Sequence, residues 1–236
     1  MSNLAHRSLQ LLVGVAIVLG TATAAMAQVG HPPGSSPYRE LRAKYMLSAV
    51  GGYSSGSGGK VEVGPAAGNL FGARLDVHLA GPGVVQLGLS RASLDRTLID
   101  AGADSANRVV GMEKQSAVLA DIGLYLVFTG EKTWHGIAPY FGASIGLALG
   151  GAVPADSLSG FTFGTKFLVG PQLGFRWHPS QRLFFRVEGR DLIWKLSYPE
   201  AFFQGDDPVL DPAFNKPSQW THNPMLLVSV GFAIPR

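Results

Sequence analysis

A two-residue alternation of side chains recurs along this chain and constrains its fold more than any other feature. In 71–79 one face carries only apolar side chains, whereas the other carries Arg74, Asp76 and His78. Segments 117–129 and 183–194 alternate in a similar way. Successive side chains of a β-strand point to opposite faces, so these segments are predicted to be strands.

Eight segments carry the strand pattern, namely 42–53, 69–79, 84–94, 116–129, 137–149, 161–177, 183–196 and 222–234. Their connections alternate between short (80–83, 130–136, 178–182) and long (54–68, 95–115, 150–160, 197–221). Membrane barrels with an up-and-down topology have tight periplasmic turns and longer outside loops. The sequence therefore predicts an all-β fold, an eight-stranded antiparallel up-and-down transmembrane β-barrel.

The character of the two faces separates a membrane barrel from a soluble one. A lipocalin-like barrel also has eight strands, but it keeps its apolar face inside and needs a charged exterior. Here one face is built from Leu, Val, Ile, Ala and Phe, the other mixes glycine with charges, and only 15% of residues are charged. We predict that the apolar face contacts lipid and the mixed face lines the lumen.

Aromatic residues near strand ends predict the interfacial girdles of a membrane barrel. They are Tyr45, Tyr53, Phe71, Phe128, Phe141, Phe163, Phe175, Trp177, Trp194 and Phe232. Pro171 lies inside the sixth predicted strand, where a missing N–H indicates a bulge or bend.

The first 27 residues predict a cleaved export signal. Arg7 precedes the apolar run 9–19, and small residues precede Gln28. This run is too short for a membrane-spanning helix, which needs roughly 20 apolar residues. We expect 28–41 to be a periplasmic segment and 42–236 to be the barrel. The chain has no cysteine, which excludes disulfides and thiolate sites, and no basic run suggests nucleic acid.

Charged residues with inward parity form the main candidate site. Counted from the short turns, opposite charges share a depth in three layers: Asp76 with Arg186, Arg74 with Glu188, and Asp121 with Arg190. Lys166 and Arg176 have the same parity. An eight-stranded barrel is just wide enough for side chains to fill it, and a buried charge is costly unless paired. We predict a salt-bridged lumen that does not conduct, with a narrow gated pore as the alternative.

The segment His178-Pro179-Ser180 places a base two residues from a hydroxyl group, but it falls in a predicted periplasmic turn. A lipid-acting site needs a strand-held pair that faces the bilayer and an acid that orients the histidine. We therefore interpret the triplet as a polar turn and predict no catalytic residue. His78 is expected to fill the lumen beside Asp76, and His135 to lie in a turn.

Two charges, Arg91 and Asp191, have outward parity. Arg91 lies toward the outer end of its strand, where its side chain can extend to the interface or bind lipopolysaccharide phosphates. Asp191 fits the apolar band poorly, and a bulge near Gly189 would move it.

The last long loop combines aromatic and acidic residues: Tyr198, Glu200, Phe202, Phe203, Asp206, Asp207, Asp211, Phe214 and Trp220. We predict that it packs its own aromatics over the barrel mouth, with binding of an extracellular partner as the alternative. The spacing of its acids matches no EF-hand, and we predict no metal and no cofactor.

With these features the chain resembles the small outer-membrane β-barrel proteins of Gram-negative bacteria, over nearly all of 42–236. The resemblance implies a monomer surrounded by outer-membrane lipid and lipopolysaccharide, delivered by periplasmic chaperones and the barrel-insertion machinery. Such barrels often end on an aromatic residue, whereas here four residues follow Phe232. We predict a structural or surface-interaction scaffold that is not an enzyme; a narrow channel and a lipid-modifying enzyme are the alternatives.

Overall fold

Residues 36–235, the part of the chain that this computed structural model describes, contain eight long strands, two short ones and a short 3-10 helix (Glu200–Phe203). The long strands are β2 (Ala43–Ser55), β3 (Ala67–His78), β4 (Gly83–Ile99), β5 (Val109–Val127), β7 (Ile137–Gly150), β8 (Thr165–Trp177), β9 (Leu183–Ser197) and β10 (Ser218–Pro235). The short ones are β1 (Tyr38–Glu40) and β6 (Lys132–Trp134). The predicted export signal lies outside the described residues. Within 36–235, no helix has the length and apolarity to cross a membrane.

The eight long strands close into an antiparallel barrel. Each pairs with the long strand before it in the chain, and β10 returns to pair with β2. The ladder between β9 and β10 is continuous from Ser218 opposite Ser197 to Phe232 opposite Leu183. Closure leaves no free edge among the long strands, so their backbone groups pair without water. The predicted eight-stranded antiparallel barrel is confirmed.

Three connections at one end of the barrel are short, as predicted. In the first, Gly81 has a φ of 69°, in the left-handed region where glycine is favoured. The backbone N of Leu79 donates to the carbonyl of Gly83 at 2.9 Å across this turn. The chain can therefore reverse within four residues at this end.

The second short connection carries a strand that the sequence did not predict. It contains β6, which pairs with β1 so that Tyr38 lies opposite Trp134. The segment expected to be a plain periplasmic lead-in thus contributes a strand at the short-turn end of the barrel. Three-residue strands have no alternation to detect, because the pattern needs several residues.

At the long-loop end, most predicted strand ends agree with the structure within a few residues, but those of β4 and β5 were wrong. Most of the predicted loop 95–115 is a two-stranded ribbon, because β4 continues to Ile99 and β5 begins at Val109. Conversely, 161–164 is not part of β8. Phe161 and Phe163 turn inward there and are buried, 4% and 1% exposed. Burial of two phenylalanine rings outweighs continuation of the strand.

Pro171 interrupts a ladder without the predicted bulge. Leu168 pairs with Trp194 before it and Gln172 with Arg190 after it, so the spacing is equal on both strands. No residue is inserted, and the ladder with β9 is interrupted only at Gly170 and Pro171, since proline has no N–H to donate. The bulge suggested near Gly189 is also absent, since that residue keeps its register with Leu226.

The outward face is apolar along the barrel, with Leu87, Ile122, Ile145 and Leu226 each 45% exposed or more. Eight aromatics expected in the girdles lie exposed on this face: Tyr45, Tyr53, Phe71, Phe128, Phe141, Phe175, Trp177 and Phe232. The prediction was wrong for Phe163 and Trp194, which are buried inside. Trp194 shares the parity of Arg190 and therefore points into the barrel.

Candidate functional site

The barrel interior contains three ion pairs, each joining strands that are not neighbours. β3 supplies Arg74 and Asp76, β9 supplies Arg186 and Glu188, and β10 and β2 lie between these two strands. These four residues are at most 2% exposed. The pairs therefore cross the lumen, and their side chains fill part of its cross-section.

The Arg74–Glu188 pair has Nη1 and Oε1 2.8 Å apart. The Tyr140 hydroxyl of β7 donates to the other carboxylate oxygen at 2.6 Å. A cation and a hydroxyl thus compensate the buried carboxylate, which offsets part of its desolvation cost. Tyr140 was not among the residues predicted from the sequence, although it has the inward parity of the lumen charges.

The other two pairs lie beside this one. Arg186 donates to Asp76, and Gln86 of β4 donates to the same carboxylate at 3.1 Å. Arg190 lies 2.9 Å from Asp121 of β5. The structure thus brings together the three pairs that share a depth in the sequence, and it adds Gln86 and Tyr140, which were not candidates.

The remaining two inward cations differ. Arg176 is fully buried; its Nη1 lies 3.1 Å from the Met46 sulfur and 3.3 Å from His78 Nε2. Lys166 is partly exposed and, among the described residues, has no ion pair within 4 Å. Arg176 therefore belongs to the packed lumen, whereas Lys166 stands outside the charge network.

An apolar layer fills the lumen toward the long loops. Strand residues such as Leu70, Leu168 and Trp194 meet loop residues Phe163 and Phe202 in one buried cluster. The rings of Phe163 and Trp194 pack edge to face with centroids 5.6 Å apart. Residues from the loops therefore close the mouth of the barrel from inside.

A buried cation holds the loop that precedes β8. Arg96 donates to Asp156 and, at 3.1 Å, to the Phe161 carbonyl, and its guanidinium lies 4.8 Å from the Phe161 ring centroid. Arg96 and Asp156 are 1% and 3% exposed. This buried contact fastens the loop over the mouth. Neither residue was a sequence candidate, since both lay in predicted loops.

The last loop is divided between the interior and the surface. Tyr198 and Phe202 are buried, and burial raises the pKa of Tyr198. Phe203 is partly buried, and Phe214 is 83% exposed. Trp220 is 56% exposed but does not belong to the loop, because β10 already begins at Ser218 and pairs Trp220 with Lys195. The loop therefore packs part of its aromatic set over the mouth, and two candidates for contact with a partner are not on the surface.

The acidic residues of this loop are exposed at the surface. The backbone N of Ser105 donates to Asp207 at 2.8 Å, and this bond lowers the pKa of that carboxyl group. Arg108 lies 3.2 Å from Asp207, while Asp211 accepts a hydrogen bond from the backbone N of Ala213. A cleft of about 580 Å³ opens here, lined by residues 101–104, Leu158, Ala201 and 204–207. Three loops thus share one external surface, which includes Asp206.

Charges appear on the outward face where the apolar band ends. Arg91 is exposed, and its Nε lies 3.3 Å from the Ser116 hydroxyl. Asp191 accepts a hydrogen bond from the backbone N of Asn223 at 2.8 Å and lies 2.6 Å from His222 Nδ1. These two polar partners stabilise the outward-facing carboxylate of Asp191, so its position requires no bulge in β9.

In the short turn after β8, His178 and Ser180 make no hydrogen bond with each other. The Ser180 hydroxyl accepts hydrogen bonds from the backbone N of Arg182 and of Leu183, so it caps the turn. His178 is buried, and its burial together with nearby Arg176 lowers the pKa of the imidazole to about 3. Across residues 36–235, no group of three or more histidines and acids is placed to hold a metal ion.

No protein-family model and no curated protein matches the chain. Among solved structures, it is similar to Neisserial surface protein A, with a TM-score of 0.50 and 12% identity, covering 84% of this chain and 98% of that one. Other similar structures are the outer membrane protein OprG of Pseudomonas aeruginosa (TM-score 0.48, 11% identity, 83% and 98% covered) and the attachment invasion locus protein Ail of Yersinia pestis (0.40, 11%, 82% and 100%). The chain has the fold of a small eight-stranded outer-membrane barrel.

Proposed function

We propose that this protein is a non-conducting, non-enzymatic scaffold of the bacterial outer membrane whose ordered external loops serve surface interactions. One observation carries the proposal: the lumen is occupied at successive levels. Three ion pairs cross its middle, and an apolar cluster that includes loop residues fills the part toward the long loops. A solute would have to displace both layers.

The outward surface supports a place in the outer membrane. Its exposed apolar side chains form a surface that lipid chains can contact. Aromatic rings lie near the strand ends, the position that is favourable for them at a membrane–water interface. Arg91 stands where the apolar band gives way to Ser93, Ser116 and Lys114. We propose that its guanidinium binds a lipopolysaccharide phosphate, because arginine pairs well with phosphate oxygens.

The external surface supports the interaction role. Residues of three loops line one cleft, and the Arg108–Asp207 pair joins two of those loops. Phe214 adds a large exposed apolar side chain. Ordered loops lose less conformational entropy on binding than flexible ones.

Single-channel recording tests the closed lumen. Protein purified from a porin-deficient host and reconstituted in planar bilayers should show no discrete conductance steps. A general porin added to the same bilayer verifies that channels can be detected. Discrete steps from the wild-type protein that vanish after boiling would favour the narrow pore instead.

Surface labelling tests the location and the orientation. An epitope inserted after Phe214 should bind antibody on intact cells, and the folded protein should migrate faster on gels before heating than after it. Labelling only after permeabilisation would contradict external loops. Lipid A of unchanged mass on expression is the expected result for a scaffold, whereas a mass change would favour an enzyme.

A further inference from the structure

Exposed cations are concentrated at the short-turn end of the barrel, which comprises 36–44 and the three short connections. Among residues 36–235, this end has five basic side chains and two carboxylates, a net charge of +3. All seven are exposed: Arg39, Arg42, Lys44, Lys132 and Arg182, with Glu40 and Glu131. The external cleft, by contrast, has an acidic rim. The short-turn end therefore presents a positive surface.

Two of these cations share a cleft. Its volume is about 640 Å³, and it is lined by Glu40, Arg42, Gln181 and Arg182. The Arg42 guanidinium lies 3.7 Å from the Glu40 carboxylate, but the two side chains are 81% and 64% exposed. An ion pair this exposed contributes little to stability, so Arg42 can exchange Glu40 for another anion. The cleft thus offers two guanidinium groups, which pair well with phosphate oxygens.

An irregularity in β2 adds a third cation beside the lipid-facing surface. Two successive residues of β10 pair with Tyr45 and Ala43, so Lys44 between them has no partner on that strand. The Lys44 ammonium lies 5.3 Å from the centroid of the Tyr45 ring. Tyr45 belongs to the exposed outward aromatics. Lys44 therefore stands at the boundary between the positive end and the lipid-facing surface.

Exposed apolar side chains lie next to the cleft. The backbone N of Ala233 donates to the Arg182 carbonyl at 2.6 Å, which holds the turn after β8 against the end of β10. Phe232 and Ile234 flank Ala233 on the outward face and are 65% and 53% exposed. Cations beside an apolar surface suit an anionic amphiphile, because its charge and its chains are both contacted. A soluble phosphate ester would use the cations alone.

We propose that Arg42, Lys44 and Arg182 bind the headgroup of an anionic phospholipid in the periplasmic leaflet. The acyl chains of this lipid contact Phe232 and Ile234. A zwitterionic phospholipid also carries a phosphate, but its amine cancels the charge, so a positive site prefers the anionic class. The inference rests on the proposed place in the outer membrane and not on the closed lumen.

Native mass spectrometry of the full protein folded in detergent tests the proposal. The protein is given an equimolar mixture of phosphatidylglycerol and phosphatidylcholine with the same acyl chains. Each basic residue near an anionic headgroup increases binding about fivefold, so the wild type should prefer phosphatidylglycerol at least about tenfold. Equal binding of the two lipids would overturn the proposal. Glycerol 3-phosphate at millimolar concentration should not displace the lipid, whereas displacement would indicate a site for soluble phosphate esters and also overturn it.

Two variants test the composition of the site. R42Q/K44Q/R182Q should bind the two lipids about equally. E40Q should increase the preference for phosphatidylglycerol, because it removes the carboxylate that lines the cleft. Both variants change exposed side chains, so the barrel should stay folded, which faster gel migration before heating than after it verifies. A phosphatidylglycerol preference that survives in the triple variant would overturn the proposal.

A matched control removes the same charge at the other end of the barrel. K60Q/K114Q/K216Q changes three exposed lysines near the long loops and should keep the wild-type preference. An equal loss of preference in both triple variants would indicate a general effect of charge and overturn the site. The conductance test is separate, since discrete steps from the wild type would contradict the closed lumen and not the lipid preference.

Discussion

Removing the carboxylate of Glu188 should destabilise the barrel without opening it. In E188A, Arg74 loses its ion-pair partner while remaining 2% exposed, and the Tyr140 hydroxyl loses an acceptor at 2.6 Å. Breaking a buried pair costs about 3–5 kcal/mol, and a stranded hydroxyl costs about 1–3 kcal/mol when no water reaches it. Water entering the space left by the side chain reduces both penalties, so we expect a loss of about 3 kcal/mol.

Urea unfolding of protein folded into lipid vesicles, followed by tryptophan fluorescence, measures this loss. With an m-value of about 2 kcal/mol per molar, the midpoint should fall by about 1.5 M. E113A, which removes an exposed carboxylate on β5, should change stability by less than about 0.5 kcal/mol. R74M/E188M should recover at least half of the loss, because apolar replacement of both partners leaves no unpaired charge.

The same variant, E188A, tests whether the lumen is closed. The apolar layer toward the long loops remains in place in E188A, so planar bilayers that contain this variant should show no discrete conductance steps. An E188A protein as stable as the wild type that shows large conductance steps would refute both the energetic reasoning and the closed lumen.

Three further predictions follow from the loops, the turns and the strands. D156N should free the loop held by Arg96 and speed its proteolysis in vesicles at least tenfold, whereas a change in overall unfolding without faster loop cleavage would contradict a local role. Burial lowers the pKa of His178 from its ordinary 6.5 to about 3 in the folded protein. Between these two pH values the unfolded chain binds more protons than the folded one, so the free energy of unfolding falls as the pH falls from 6.5 towards 3. Between pH 8 and pH 5 the loss should be roughly 2 kcal/mol and should be absent in H178F; equal pH slopes would argue against a buried neutral imidazole. G142A should destabilise by about 1–3 kcal/mol, because a Cβ would overlap the Leu124 carbonyl, whereas G189A, with open space, should be neutral in the same urea assay.

Period-two alternation was sufficient to predict most of the barrel. It specifies which face a side chain takes, because a strand turns its side chains over at each residue. Parity together with distance from a short turn then placed opposite charges at equal depth, as for Arg74 and Glu188. The same parity also pointed Trp194 inward, although its place near a strand end suggested a girdle.

The sequence alone thus determined the strands, their two faces and the sign of the charges at each depth. Only the tertiary structure decided that Tyr140 and Gln86 complete the charge network, that Arg96 holds a loop over the mouth, and that β1 and the turn after β8 lie side by side. Each of these contacts joins residues far apart in the chain. Local patterns describe neighbours along a strand, whereas closure of the sheet and burial of loop aromatics decide which distant side chains meet.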